Sequence, residues 1–305
     1  MPYPDKTVNP PRLFYTDHHV LPLPPAHRFP IEKYRLLREL LEKDLSFTLE
    51  PAPMADLMII EEVHDSEYVR AFVEGTLPDA AMRRIGFPWS EGLVKRTLAS
   101  VGSTLAATKE ALTHRWSGTL AGGTHHAFRA EGSGFCVFND IAIAIGWLRA
   151  ERGIRRVAVV DLDVHQGDGT AEIFRDDEAV FTLSIHCKNN FPLRKQQSRI
   201  DVELEAGTGD EFYLSKLAEV LPKILAFRPE ILFYQSGVDN LAEDRLGKLS
   251  LTRNGLRERD RQVMELAKAA DAPLVITLGG GYAEPISLTV EAHANTFRTA
   301  LEVLA

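Results

Sequence analysis

The apolar run Val157-Ala158-Val159-Val160 passes without a spacer into Asp161-Leu162-Asp163-Val164-His165-Gln166-Gly167-Asp168-Gly169. A short aliphatic run of this kind reads as a strand buried on both faces, and such strands belong to parallel sheets covered by helices. Alternation along an extended chain puts Asp161, Asp163 and His165 on one side of the backbone. Carboxylate oxygen together with imidazole nitrogen suits a divalent ion such as Zn²⁺. The fold must therefore bury this strand and still bring further polar groups to its carboxyl end.

The rest of the chain supplies the material for such a sheet. Ile31, Tyr34, Leu37, Leu40 and Leu41 recur at helical spacing, which predicts an amphipathic helix over 32–43. Helical patterns return after Asp65 and over about 90–113, 139–152, 210–226 and 252–270, and again beyond Pro285. Short apolar runs at 57–60, 119–121, 157–160, 180–185, 231–234 and 273–278 read as strands, with another at Leu13-Phe14-Tyr15. Strands alternating with helices predict an α/β fold with a central, mostly parallel sheet and helices on both faces. One catalytic domain over 1–305 is expected, with residues 1–12 irregular. The one long irregular stretch, 187–209, carries an edge strand at 200–204, and loops of that length in compact domains are often functional.

Composition excludes several classes. The formal net charge of −8 argues against direct nucleic-acid binding, which calls for Lys/Arg-rich surfaces. Only Cys136 and Cys187 are present, so neither a disulfide scaffold nor a cysteine-rich zinc fold is available, and packing is the expected role of both. Met1-Pro2-Tyr3-Pro4-Asp5 has no basic start leading into an apolar segment, and no run is long and apolar enough for a membrane span. A cytoplasmic location is the expectation.

In open α/β sheets ligands sit beyond the carboxyl ends of the strands. The polar chemistry collects there: His125-His126, the Asp161 segment, Ser184-Ile185-His186, Asp239 and Gly279-Gly280-Gly281-Tyr282. A catalytic zinc takes three protein ligands and keeps one position open. Asp163 and His165 supply two, Asp239 is the best third, and Asp161 is better suited to orienting a neighbour. His125 and His126 follow Gly122-Gly123, whose turn can face both rings into one pocket. As a base and acid pair they would be oriented by Asp161 and Asp168. The glycine run before Tyr282 has neither the G-x-G-x-x-G spacing nor a P-loop Lys-Ser/Thr, so it suits close backbone approach followed by a phenolic donor. Ser133, Ser184 and Ser236 lack a G-x-S-x-G elbow, which disfavours a serine hydrolase.

Taken in order, Gly122-Gly123-Thr124-His125-His126, Gly134-Phe135-Cys136-Val137-Phe138-Asn139-Asp140, the Asp161 to Gly169 segment, Ser236-Gly237-Val238-Asp239 and Gly279-Gly280-Gly281-Tyr282 resemble the histone deacetylase family of the arginase-deacetylase fold. The likeness is greatest to its class IV and bacterial branch, where Gln166 is typical. The resemblance implies one zinc held by Asp163, His165 and Asp239. It implies His125 and His126 as the proton-transfer pair, held by Asp161 and Asp168, with Tyr282 polarising the acyl carbonyl. It also implies a channel flanked by Phe135 and Phe191 with Gly134 beside them, and a structural K⁺ or Na⁺ near Asp161, Asp163, His165, Ser184 and Ile185. The implied substrate is an acylated lysine of a protein or an acylated small amine such as an acetylpolyamine. No clear match exists for an acidic rim residue that grips substrate backbone; Glu91 is the candidate. A binuclear ureohydrolase would want a carboxylate where Leu241 stands, and a non-catalytic acyl-lysine binder would not need the proton-transfer set.

Overall fold

The computed structural model describes residues 10–25 and 27–304. The chain enters through β1 (Arg12–Tyr15), crosses α1 (Glu32–Glu42) and returns as β2 (Thr48–Pro51). Four helices follow, α2 (Leu57–Glu61), α3 (Ser66–Glu74), α4 (Asp79–Ile85) and α5 (Glu91–His114), and lead to β3 (Trp116–Thr119). Next come α6 (Asp140–Arg152), β4 (Val157–Asp161), α7 (Asp168–Ile173), β5 (Val180–Cys187) and β6 (Ile200–Leu204). The chain finishes with α8 (Asp210–Phe227), β7 (Ile231–Gln235), α9 (Arg253–Ala269), β8 (Leu274–Thr277) and α10 (Ile286–Leu304). The strands form one eight-stranded sheet in the order β2-β1-β3-β8-β7-β4-β5-β6, and every pairing is parallel.

The two-residue period of a strand divides the apolar residues between two cores. Ala158, Val160, Leu232, Tyr234 and Ile276 pack with Leu37, Leu217, Val263 and Phe297 from α1, α8, α9 and α10. Val157, Val159, Phe233 and Val275 face the other way, onto Phe72, Leu105 and Ile143 from α3, α5 and α6. Helix starts are fixed by short polar side chains that accept otherwise unpaired amides: Ser90 from Leu93, Asn139 from Ala142 and Thr252 from Gly255. No helix among the described residues is long and apolar enough to cross a membrane.

Three expectations need correction. The run 57–60 is helix α2, not a strand, because Asp56 accepts from the Met58 amide and starts a helical turn. Four apolar residues carry no period that separates the two states. The third strand ends at Thr119, where the expected strand began, since Gly122 and Gly123 at φ 74° and 72° already turn the chain. Trp116-Ser117-Gly118-Thr119 has no apolar run, and a Cβ on Gly118 would fall 2.7 Å from the Phe297 ring. Arg12 belongs to β1 rather than to an irregular leader, while residues 1–9, including the start read for a missing leader, lie outside the described residues. Edge strand β2 and helices α4 and α7 were not legible, being too short for a periodic signal.

The topology opens a crevice at one place. β4 and β7 are neighbours, yet the chain leaves β4 towards β5 across one face and leaves β7 towards β8 across the other. Such a switch point is where α/β sheets hold ligands. Arg259 of α9, fully buried, ties the two strand tips together: Nη1 donates to the Leu162 carbonyl at 3.2 Å and to the Gly237 carbonyl at 2.6 Å. Nε and Nη2 donate to Asp260 Oδ1 at 3.0 and 2.8 Å, while the Tyr234 hydroxyl and Thr296 hydroxyl also donate to Asp260. Arg259→Met keeps much of the volume but leaves a buried carboxylate without its cation. It should cost about 3–5 kcal/mol in urea denaturation, and Arg259→Met/Asp260→Asn should recover part of that loss.

Candidate active site

Beyond β4 the backbone is folded by its own carboxylates. Asp161 Oδ1 accepts from the Asp163 amide at 3.1 Å, and Asp163 Oδ1 accepts from the His165 amide at 2.9 Å. Aspartates favour such turns onto the amide two residues ahead, so spacing two acids and a histidine by two residues coils the segment. From β7, Asp239 Oδ1 reaches back to accept from the Val164 amide at 2.9 Å. Asp163, His165 and Asp239 are thereby gathered, with one ligand atom from each lying within 4.8 Å of the others. His165 Nδ1 stands 3.0 Å from Asp163 Oδ1 and 3.1 Å from Asp239 Oδ2.

Asp239 Oδ2 is buried and accepts from no amide or hydroxyl; its contact with His165 Nδ1 is an ion pair of poor hydrogen-bond geometry. Burial, with the Asp163 charge beside it, pushes this carboxyl up to about 7. Burial opposes charge on His165, but hydrogen bonding and attraction from Asp163 and Asp239 outweigh it and raise the ring to about 10. A buried carboxylate oxygen that no amide satisfies, beside an imidazole and a second carboxylate, is a donor set that fits a divalent cation, whose binding displaces the protons. Close approach beneath the set requires glycine: a Cβ at Gly280 would lie 1.7 Å from Asp239 Oδ2. The Gly280 amide in turn donates to Asp163 Oδ2 at 2.7 Å.

The histidine pair is held by two layers of carboxylates. Asp140, at the start of α6, accepts from the Gly123 and Thr124 amides at 2.9 and 2.7 Å and so fixes the turn after β3. His125 Nδ1 then meets Asp161 Oδ2 at 2.7 Å, and His126 Nδ1 meets Asp168 Oδ1 at 2.6 Å. The ring centroids are 4.1 Å apart and both rings are buried. Burial lowers both, but Asp161 overrides it at His125 and raises that ring to about 9. Burial and the neighbouring His125 push His126 down to about 4. Two rings this close titrate as a pair, with the favoured state at neutral pH carrying its charge on His125.

Tyr282 closes the far wall. Its amide donates to Asp244 Oδ2 at 2.6 Å, and burial near Asp239 and Asp163 pushes its phenol well above the ordinary value. The hydroxyl therefore keeps its proton at neutral pH. A narrow space of about 50 Å³ lies among His125, His126, Asp163, His165, Gly280 and Tyr282. Above it opens a wider mouth of about 330 Å³ lined by Gly134, Phe135, Phe191 and Tyr282. Phe191 is 39% exposed and stands edge-on to His126 at 4.9 Å, so it is a mouth residue and not core.

Other expected residues fall as follows. Asp161 and Ser184 are opposite each other in the β4–β5 register, with Ile185 next in the strand, but the Ser184 hydroxyl is engaged with His186 Nδ1 at 2.9 Å. Glu91 is the exposed first residue of α5 and lines neither space, so it does not supply a rim carboxylate. Cys136 and Cys187 are buried and free. The Ser236 hydroxyl donates to the Thr277 carbonyl, which leaves it a structural group.

Lys33 escaped the reading. It is 1% exposed, its Nζ donates to the Gly279 carbonyl at 2.9 Å and it lies 5.3 Å from the Tyr282 ring centroid. The available signal was a charge four residues before Leu37, on the apolar face of α1. Asp244 was also unassigned, although its Oδ1 accepts from Leu246 and Gly247 while its Oδ2 holds Tyr282.

The Histone deacetylase domain model matches residues 27–297. An uncharacterized protein of Picosynechococcus is 46% identical over 293 residues, which cover 95% of this chain and 98% of that one. A probable deacetylase of Archaeoglobus fulgidus is 32% identical over 263 residues, covering 81% and 72% of the two chains. A histone deacetylase-like amidohydrolase of Pseudomonas aeruginosa is 31% identical over 286 residues, covering 86% and 74%. The match takes in every strand of the sheet except β1 and every segment that contributes to the crevice between β4 and β7, and the chain belongs to the histone deacetylase family.

Proposed function

We propose that this family member is a zinc-dependent deacylase that hydrolyses the side-chain amide of an acylated lysine, with Asp163, His165 and Asp239 holding one ion. The observation that carries the reading is the buried cluster of two carboxylates and an imidazole, set directly beside two histidines that are each held by a carboxylate of their own. Among the described residues this is the one group of three such donors, which supports a mononuclear site over the binuclear alternative.

When bound, zinc supplies Lewis acidity to the acyl carbonyl and acidifies the attacking water. His126, neutral and held through Nδ1 by Asp168, has its other ring nitrogen free to take the water proton as the new C–O bond forms. His125, kept cationic by Asp161, faces the growing negative charge without a change in its own protonation. Tyr282 donates its phenolic hydrogen to the oxyanion; a donor of this kind is worth roughly 3–4 kcal/mol. Breakage of the C–N bond requires a proton on the leaving amine, and the histidine pair returns the one taken from water. Phe135 and Phe191 line the aliphatic stem, with Gly134 leaving room beside them. A structural K⁺ or Na⁺ at Asp161, Asp163, His165, Ser184 and Ile185 belongs to the same reading.

Three measurements test it. Metal analysis of purified protein should give one zinc per active chain, and Asp239→Ala should lose the metal and hydrolysis while keeping its circular dichroism. Two ions per active chain would overturn the mononuclear assignment. Tyr282→Phe removes one hydroxyl and little volume, so kcat on an acetyl-lysine peptide should drop by about 10²-fold or more with KM little changed. Because Phe191 is 39% exposed, Phe191→Ala should raise KM or shift acyl preference while costing less than the ~3–5 kcal/mol of a core phenylalanine deletion.

A further inference from the structure

The mouth of the channel carries a charge that the rest of the chain does not. The protein has a formal net charge of −8, yet Arg28, Arg83 and Arg84 all line the opening together with Phe191. Arg84 is neutralised by Glu131 at 2.9 Å and engaged by the Gly132 carbonyl at 3.2 Å. Arg28 and Arg83 are exposed, and neither has a carboxylate within ion-pair distance among the described residues. Arg83 and Arg84 lie in the last turn of α4, where cations complement the helix end. That explanation does not extend to Arg28, which comes from the segment before α1. Two separate parts of the chain thus bring unpaired guanidinium groups to one opening.

A second space adjoins the mouth. A groove of about 520 Å³ shares Arg83 and Gly86 with the mouth and continues along α4 to Met82 and Trp89. Its lining is largely apolar, with Leu77, Met82, Pro88 and a Trp89 that is 39% exposed, and it holds one acid, Asp79 in the first turn of α4, which forms no ion pair with Arg83 among the described residues.

Resting on the deacylase reading above, we infer that the substrate is an acyl-lysine in an extended acidic peptide segment. A carboxylate next to the acylated lysine meets Arg28 and Arg83, and an apolar side chain further along lies over Met82 and Trp89. Guanidinium forks suit carboxylates geometrically as well as electrostatically. The same arrangement disfavours acetylpolyamines, whose remaining ammonium groups would have to sit at the opening beside two unpaired arginines.

The test compares kcat/KM of the zinc-loaded full chain on five compounds. They are an acetyl-lysine peptide with aspartates flanking the lysine, its neutral and lysine-flanked counterparts, free Nε-acetyl-lysine and a monoacetylated spermidine. The acidic peptide should exceed the neutral one by about tenfold at low salt, the advantage should shrink towards unity at high ionic strength, and the polyamine should be poorest. In Arg28→Glu/Arg83→Glu the order of acidic and lysine-flanked peptides should invert. A flat ranking, a preference that survives the double charge reversal, or a polyamine that matches the acidic peptide would overturn the inference. Free Nε-acetyl-lysine performing as well as the acidic peptide would overturn the peptide assignment, because its carboxylate is its own α-carboxyl and it does not reach the groove. No turnover of any of the five would instead overturn the deacylase reading itself.

Discussion

Four carboxylates, Asp161, Asp163, Asp168 and Asp239, are buried at the carboxyl ends of two adjacent strands, and much of the local architecture follows from keeping them there. Removing charge from water is tolerated when hydrogen bonds and opposite charge replace the solvent. Backbone amides of Asp163, Val164, His165 and Gly280 supply part of that replacement, and His125, His126 and His165 supply more. One oxygen of Asp239 has no amide or hydroxyl donor and only an ion-pair contact with His165. This residual demand, beside the imidazole of His165 and the carboxylate of Asp163, is the physical basis for reading the cluster as a metal site.

The same carboxylates set the two neighbouring histidines apart. Both rings are buried, and burial alone would make both neutral. Asp161 is close enough to override it at His125, and the charge so retained lowers His126 further. One neutral and one cationic imidazole are obtained from two identical side chains adjacent in sequence. The division depends on which carboxylate each ring meets, and that is settled by Asp140 clamping the Gly123-Thr124 backbone from another helix.

The buried donor cluster and the opening above it are built from different parts of the fold. The donors arise from strand ends tied together by Arg259. The opening is formed by Arg28, by the end of α4 and by Phe191 in the loop after β5. Loops and helix ends of this kind vary in charge and shape more freely than a buried network does.

Much of this was legible in the order of residues. A dense Asp-x-Asp-x-His segment after an aliphatic strand fixes its own turns, because each aspartate bonds an amide two residues ahead; this is local chemistry and needs no tertiary contact. The alternation of strands with long helical patterns likewise foretold the parallel sheet, its two-sided core and the edge strand Ile200–Leu204. Short elements were misread or unseen where a few residues hold no period: α2 read as a strand, while β2, α4 and α7 gave no signal. What tertiary structure alone decided was proximity between distant segments. It set Asp239 against His165, Asp140 beneath the histidine turn, Lys33 under Gly279, and Arg28 beside Arg83. Sequence specifies which groups a segment can offer, but their charge and partners depend on distances across the sheet, and those distances exist only once β4 and β7 lie side by side.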